Sequence, residues 1–391
     1  MSHSPGGSAP MDSDFGDEIS DAEFLHIQSE FLCSGPIGTH QSSHDGGDCE
    51  AKPDLSGVRS AEQEEAKGGG VGYGLDAAPK RKRELVDGSP LDRFELRYLC
   101  VTDICGQAWC ELQVAHGFEL PDVLKRRDES QEVRAGASIH LARELEVHDV
   151  VPVSAQSRED RWALKFLNVL GMIPVLQAGS CVREMPVFGV LEGIFVMGVI
   201  DELHYSHKGE LVLNELKTRG HNSLPGRAQD RSHRLQVGLY KLLYDGLVRG
   251  TLEREDFIRS LQLQPGQLLG SGVMEHAQKL GLQVGTFGDL LDLLLMNLTY
   301  CELPTIDVLR LEYCHQGSGT PIATREVPFD ETQLRAELQQ HLSYWTGQRE
   351  ARGVDIEEAW KCRYCSFVEL CEWRKERLQQ ELTGHPSKKL K

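Results

Sequence analysis

The stretch that decides the fold reads Gly198-Val199-Ile200-Asp201, passes a polar turn at His207-Lys208-Gly209, and returns through Asn214-Glu215-Leu216-Lys217-Thr218. Ile194, Phe195, Val196, Val199 and Ile200 are aliphatic, aromatic or β-branched, the composition of a buried strand. The return run is apolar from Leu211 to Leu213 and ends in charge, which predicts a hairpin. Side chains alternate along a strand, so Glu215 and Lys217 share one face and Leu216 takes the other. With Asp201 ending the first strand, three charged groups are expected to meet at one point. Two carboxylates suit a hard, oxygen-preferring cation such as Mg²⁺ or Mn²⁺. The lysine is placed to position a water and offset charge on a phosphate in flight.

Around this hairpin the chain has 391 residues, enough for one large domain or two smaller ones. No apolar run is long enough to cross a bilayer and no signal-peptide core is visible, so a soluble intracellular protein is expected. Eleven cysteines in such a chain argue for metal or cofactor ligation over disulfides. The net charge of −18 disfavours a nucleic-acid partner at first sight. Two thirds of that excess lies in residues 1–78, where fifteen acids face only Lys52, Arg59 and Lys67. A local basic groove in the remainder is therefore compatible with the total, and net charge does not decide the partner.

Residues 1–90 are rich in Gly, Ser and Asp and are read as a disordered acidic tail. Within it Ser20-Asp21-Ala22-Glu23 is a capping box with Ile19 and Phe24 at staple positions, and Phe24, Ile27 and Phe31 form a short stripe. That pattern fits a transient helix or a helix that docks a partner protein. Lys80-Arg81-Lys82-Arg83 fits a nuclear-import signal, a solvated linker or a phosphate-contacting arm. An N-terminus neither Arg-rich nor acid-poor disfavours mitochondrial import, leaving nucleus and cytosol. Order is expected over 91–378, followed by a flexible basic tail, 379–391. Helices are predicted from Thr102 or Asp103 through Gln113, over 132–146 with His140 and Glu144 on one face, and over 160–170, 229–249 and 331–350. Residues 251–300 read mainly helical, and further strands are expected near 306–313 and 322–329. Helices around a small central sheet make the class α/β or α+β.

Cys362-Arg363-Tyr364-Cys365, followed by Cys371, spells C-x₂-C-x₅-C. Three close thiols without a nearby histidine suit a [4Fe–4S] cluster or zinc lacking one ligand. The bland alternative is three buried or free cysteines. Cys100, Cys105 and Cys110 are the candidates for a fourth thiol, which would staple the two ends of the domain together. His140 alone reads as a satisfied helix histidine, and Gln236 and Tyr240 as ordinary helix residues.

Their order along the chain changes that reading. It runs Gly136-x-x-x-His140, Glu184, Gly198-x-x-Asp201, Glu215-x-Lys217, Gln236-x-x-x-Tyr240, then the cysteines. Asp, hairpin and Glu-x-Lys form the motif of PD-(D/E)xK nucleases, and the full order resembles the RecB-like nucleases. Nearly all of 91–378 resembles the exonuclease V family, most specifically over Gly136 to Glu146, Gly198 to Tyr205 and Glu358 to Arg363. The resemblance implies an α/β fold: a PD-(D/E)xK restriction-endonuclease-like core with a small central mixed sheet, flanking helices and helical insertions. It implies a monomer that hydrolyses single-stranded DNA with Mg²⁺ or Mn²⁺, releases short oligonucleotides and serves DNA repair. A structure-specific endonuclease or flap nuclease, and a non-catalytic DNA-binding scaffold, are the competing readings.

By the same resemblance Asp201 and Glu215 would be metal ligands, with His140 a third ligand or neighbour and Glu184 an acid near the metals. Lys217 would orient the attacking water, and Gln236 and Tyr240 would contact the nucleic-acid backbone or brace the site. Cys362, Cys365 and Cys371 would hold a [4Fe–4S] cluster with Cys110, which sits in the family's Trp-Cys-Glu context as Trp109-Cys110-Glu111. Region 251–300 and the basic residues Arg227, Arg231 and Arg234 would line the strand's passage, or else form a solvated face.

Overall fold

The computed structural model describes residues 88–123 and 130–377, together with the backbone of 31–36. The tail readings at 20–27, 80–83 and 379–391 lie outside the described residues. At Phe31, the last position of the expected N-terminal stripe, the backbone is extended: β1 (Phe31–Pro36) pairs antiparallel with β3 (His148–Pro152).

A capping box at Ser89, whose hydroxyl accepts from Asp92 N–H at 3.3 Å, opens α1 (Pro90–Arg93). β2 (Leu99–Cys100) runs straight into α2 (Val101–Glu119), and α3 (Gln131–Glu144) precedes β3. α4 (Arg158–Gln177) is capped by Ser157. Three antiparallel strands follow, β4 (Val182–Leu191), β5 (Ile194–Tyr205) and β6 (Leu211–Arg219). Glu192 and Gly193 both have positive φ, 49° and 82°, as the tight turn joining β4 to β5 requires. Beyond them come α5 (Arg227–Val248), α6 (Arg254–Leu261), α7 (Ser271–Lys279), α8 (Phe287–Tyr300), β7 (Val308–His315), β8 (Pro321–Val327) and α9 (Glu331–Trp345). A 3₁₀ segment, Ile356–Tyr364, carries the chain into its last cysteines.

The centre is a six-stranded mixed sheet in the order β2-β5-β6-β7-β8, with β4 on the other edge of β5. β2 and β5 are parallel, as are β6 and β7; the other pairings are antiparallel. β6 is buried along its whole length, so its polar residues are held inside the protein. α5 packs on β4 and β5 and meets α2, while α4 packs on β4 and meets α8. No helix among the described residues is long and apolar enough to cross a membrane.

Two features depart from the sequence reading. β5 continues four residues past Asp201, so the acid sits within the strand and not at its end. β4 was not expected, because Arg183, Glu184, Pro186 and Gly189 interrupt its apolar pattern. Proline is tolerated there because β4 pairs only with β5 among the described strands, leaving its other edge without a ladder to break.

Candidate functional site

One edge of β5 is shared between two strands. Val196 and Met197 pair with β2, while Glu202 to Tyr205 pair with β6. The β5–β6 ladder stops at Glu202 opposite Asn214, one residue short of Asp201 and Glu215. There Asp201 holds the strands together with its side chain: Oδ2 accepts the Leu216 N–H at 2.7 Å.

The other oxygen, Oδ1, lies 3.5 Å from His140 Nδ1, and Glu184 Oε1 is 3.7 Å from the same nitrogen. One donor atom from each of the three residues falls within 4.8 Å of the others. α3 supplies His140, β4 supplies Glu184 and β5 supplies Asp201. Glu184 is buried, with φ of 54°, a left-handed conformation costly for a side chain with a Cβ. Its strain is the local signature of a site that dictates backbone geometry. Arg143 and Arg183 line the same pocket. Arg143 forks onto Glu312 at 2.5 and 3.0 Å, holding that carboxyl below its usual range, and Arg183 pairs with Glu202 at 2.8 Å. Sequence reasoning missed both arginines; Arg143 lies one turn after His140, and that spacing was the available signal.

Glu215 does not join the three-donor group. Its Oε1 lies 3.3 Å from Lys217 Nζ, both residues buried on the same face of β6 as the alternation predicted. Lys217 Nζ donates to Gln236 Oε1 at 2.8 Å, and Gln236 Nε2 donates to Tyr240 Oη at 2.8 Å. Neither Gln236 nor Tyr240 reaches solvent, so their position is that of a brace and not of a nucleic-acid contact. Gly198 belongs to this brace. A Cβ there would lie 2.5 Å from Tyr240 Cε1, so only glycine lets the tyrosine ring lie against β5.

The cysteines converge at the far end of α2. Cys110, Cys362, Cys365 and Cys371 line one cavity. Cys110 breaks the helix, with φ of −164° and ψ of 114°. Glu111 fixes that break by accepting from both Arg349 guanidinium nitrogens at 2.6 and 2.5 Å and from Arg352 N–H at 2.9 Å. Lys361, 2 % exposed, donates to Trp109 O at 3.2 Å and sits 4.7 Å over the Trp109 ring, which meets Trp360 edge-on. The Trp-Cys-Glu and Trp-Lys-Cys segments thus interlock. Cys100 and Cys105 are packed in the apolar core instead, which singles out Cys110.

Four thiols on one cavity are a soft donor set that fits zinc or an iron–sulfur centre. Burial pushes the Cys110 thiol up to about 11, and the three neighbouring thiols add to it. A cationic centre would reverse both effects. His116, also on this cavity, was not foreseen; its imidazole holds the Cys371 thiol below the usual range. The one-imidazole, two-carboxylate group fits a hard cation such as Mg²⁺ or Mn²⁺ equally well.

The expected basic patch is exposed but carries its own counter-ions: Arg231 pairs with Glu337 at 2.8 Å and Arg234 with Asp230 at 2.7 Å. Arg227 is exposed at the start of α5.

Comparison with known proteins gives three results. The family described as "Exonuclease V - a 5' deoxyribonuclease" matches over residues 89–212, 206–289 and 273–374. A Danio rerio protein named Exonuclease V is 48% identical over 393 residues, spanning 97% of this chain and 98% of its own. A solved structure titled "Crystal structure of SSO0001" covers 73% of this chain and 94% of its own at 13% identity and a TM-score of 0.37, a likeness too low to argue from. The match to the relative is nearly end to end, the family match takes in every residue of both constellations, and the chain belongs to the exonuclease V family, a family of nucleases.

Proposed function

We propose that this nuclease is a single-strand-specific exodeoxyribonuclease with a PD-(D/E)xK core, using Mg²⁺ or Mn²⁺ and carrying a [4Fe–4S] cluster. The observation that carries it is the convergence of His140, Glu184 and Asp201 donor atoms within 4.8 Å, one residue from Glu215 and Lys217. Those three would hold the cation, which would supply Lewis acidity toward the scissile phosphate. Lys217, steadied by Gln236, orients a water and offsets charge building on phosphate oxygens. Glu215, 3.3 Å away, keeps that ammonium aimed. His140 Nδ1 fixes the angle between the two acids. Arg143 and Arg183, each held by a carboxylate, keep positive potential at the rim without entering the donor set. The donor set is hard and the thiol set is soft, so the two centres do not compete for the same metal.

Cys110, Cys362, Cys365 and Cys371 would hold the iron–sulfur cluster in a structural role, joining the ends of the domain. The family's description as a 5′ deoxyribonuclease is our basis for proposing digestion from 5′ ends. Release of short oligonucleotides by a monomer, a role in DNA repair, residence in the nucleus as well as the cytosol, and a protein partner for the acidic tail complete the proposal.

The test is Mg²⁺-dependent digestion of linear and circular single strands by wild type, Asp201→Ala and Glu184→Gln. The expected result is oligonucleotides from the linear strand only, with each variant down by about a hundredfold or more. Cutting of the circle would replace the exonuclease with an endonuclease. Undiminished activity in Asp201→Ala would remove the site.

A further inference from the structure

A second cleft, of about 1090 Å³, lies between the segment 95–100, the loop after β3 and the first turns of α4. It is at the upper end of small-molecule pockets. Four bases line it, Arg97, Arg158, Arg161 and Lys165, against the acids Glu95 and Asp103. Asp103 is spent on capping α2, where it accepts the Cys100 N–H at 2.8 Å.

Lys165 is the informative one. It is 8 % exposed, its ammonium lies 5.6 Å over the Trp162 ring, and among the described residues its one hydrogen bond is a long 3.5 Å contact to Arg161 O. No carboxylate pairs with it among the described residues. A buried ammonium without a counter-charge is costly and is kept where an anion will supply one. Arg161 also stands in the first turn of a helix, where the dipole disfavours cations and favours anions. The acids of that turn face elsewhere: Glu159 accepts from Gln264 N–H and Asp160 from Gly270 N–H. The first turn of α4 thus sends its bases into the cleft and its acids to backbone amides.

Two strands tie this cleft to the carboxylate site. His148, at one end of β3, contacts the carbonyl of Arg183 beside Glu184, and Pro152 at the other end lines the cleft. Cys100, a cleft residue, pairs with Met197, four residues from Asp201 on β5. Four residues of strand span about 13 Å, a few nucleotides of extended chain.

We propose that this cleft is the approach groove for single-stranded DNA, with Arg97, Arg161 and Lys165 taking consecutive backbone phosphates before the strand reaches His140, Glu184 and Asp201. This rests on the proposed function. The test uses the full chain, a fluorescent oligothymidylate, Ca²⁺ in place of Mg²⁺, and anisotropy over a range of salt. Arg97→Glu with Arg161→Glu should weaken binding about tenfold or more and flatten the slope of log K against log salt by about 1.4, two contacts at about 0.7 each. Arg249→Glu with Arg335→Glu makes the same charge change elsewhere and should weaken binding less than about twofold. Lys165→Met keeps the stem's volume, should weaken binding similarly, and should not lower the melting temperature.

Equal losses in the two charge-reversed pairs would reduce the effect to net charge and overturn the groove. Wild-type affinity in the cleft variants would overturn it too. Unchanged DNA binding with lost polyglutamate binding would make the cleft a site for acidic polypeptide instead. A wild-type protein that binds no single strand would sink the proposed function itself, a result distinct from the others.

Discussion

Gly198→Ala should loosen Lys217 without touching it. The added Cβ would stand 2.5 Å from Tyr240 Cε1, 3.1 Å from its Cδ1 and 3.0 Å from Val101 Cγ2. Comfortable carbon contacts begin at about 3.5 Å, so the ring must retreat by about 1 Å. Tyr240 is fully buried, and overpacking of this kind costs about 1–3 kcal/mol. The same retreat would stretch the 2.8 Å bond from Gln236 Nε2 to Tyr240 Oη beyond hydrogen-bonding range. A buried amide that loses a partner adds about 1–3 kcal/mol, giving a total of roughly 2–6 kcal/mol. Gln236, no longer held, ceases to fix Lys217. A displacement of about 1 Å at a reacting group can cost about a hundredfold in rate.

The assay is a double-mutant cycle with Tyr240→Leu, read by urea denaturation and by digestion of single-stranded DNA. Leucine removes the ring that the new methyl strikes, so Gly198→Ala should cost about 1–2 kcal/mol less in its presence. Activity should stay low in the double variant, because Gln236 still lacks its hydroxyl. Strict additivity in stability, or full activity in Gly198→Ala, would refute the bracing chain from β5 through Tyr240 and Gln236 to Lys217.

Two further outcomes follow from the thiol end of the molecule. Cys110→Ala should abolish the visible absorbance and bound iron of anaerobically purified protein, whereas Cys105→Ala, in the apolar core, should keep both and lose only about 1 kcal/mol of stability. Burial alone would raise the Glu111 carboxyl, but the His341 imidazole 3.9 Å away and hydrogen bonds from Arg349 and the Arg352 N–H bring it down to about 2. A folded value below the unfolded one gives stability complete above about pH 4.5 and lost as pH falls toward 2. The urea midpoints of wild type and Glu111→Gln should therefore differ at neutral pH and converge across that window; a constant difference would contradict it.

What could be read from the sequence was whatever has a local period or a short spacing. The β5–β6 hairpin, α5 and the strands β7 and β8 follow from apolar runs bounded by turns, and each was foreseen within a few residues. C-x₂-C-x₅-C announced a thiol site because its ligands are close in sequence. What escaped was set by tertiary contact. β4 carries a proline and two charges that only an edge position beside β5 makes tolerable. Glu184 was expected near the metals from the family order alone, and its left-handed φ is encoded by no local pattern. Glu215 shares a face with Lys217 as alternation requires, and its carboxylate lies 3.3 Å from that ammonium, outside the three-donor group. Arg231 and Arg234 look like a free basic patch until α9 and the preceding turn of α5 bring Glu337 and Asp230 to them.

α2 joins the two centres, and this sets the order in which the molecule should come apart. Its first residue, Val101, abuts Gly198, and its kink at Cys110 faces the thiol cavity, nine residues or about 14 Å away. The two ends are held differently. At Val101 the helix is buried against β5 in the main apolar core. Beyond Cys110 it packs Ala115 on the same core and Phe118 edge-on against Trp345, and adds the Glu111–Arg349 pair and whatever the four thiols hold. Removing that centre leaves four thiols with nothing to bridge the segment 353–374 to α2. On metal removal under anaerobic conditions, hydrogen exchange should therefore rise first in 353–374 and in the end of α2 past Cys110. Amides of β5 and β6 should keep their protection until the whole domain unfolds. Loss of protection in β5 before 353–374 would mean that the thiol centre supports the nuclease sheet directly, and α2 would no longer be the element that joins the two.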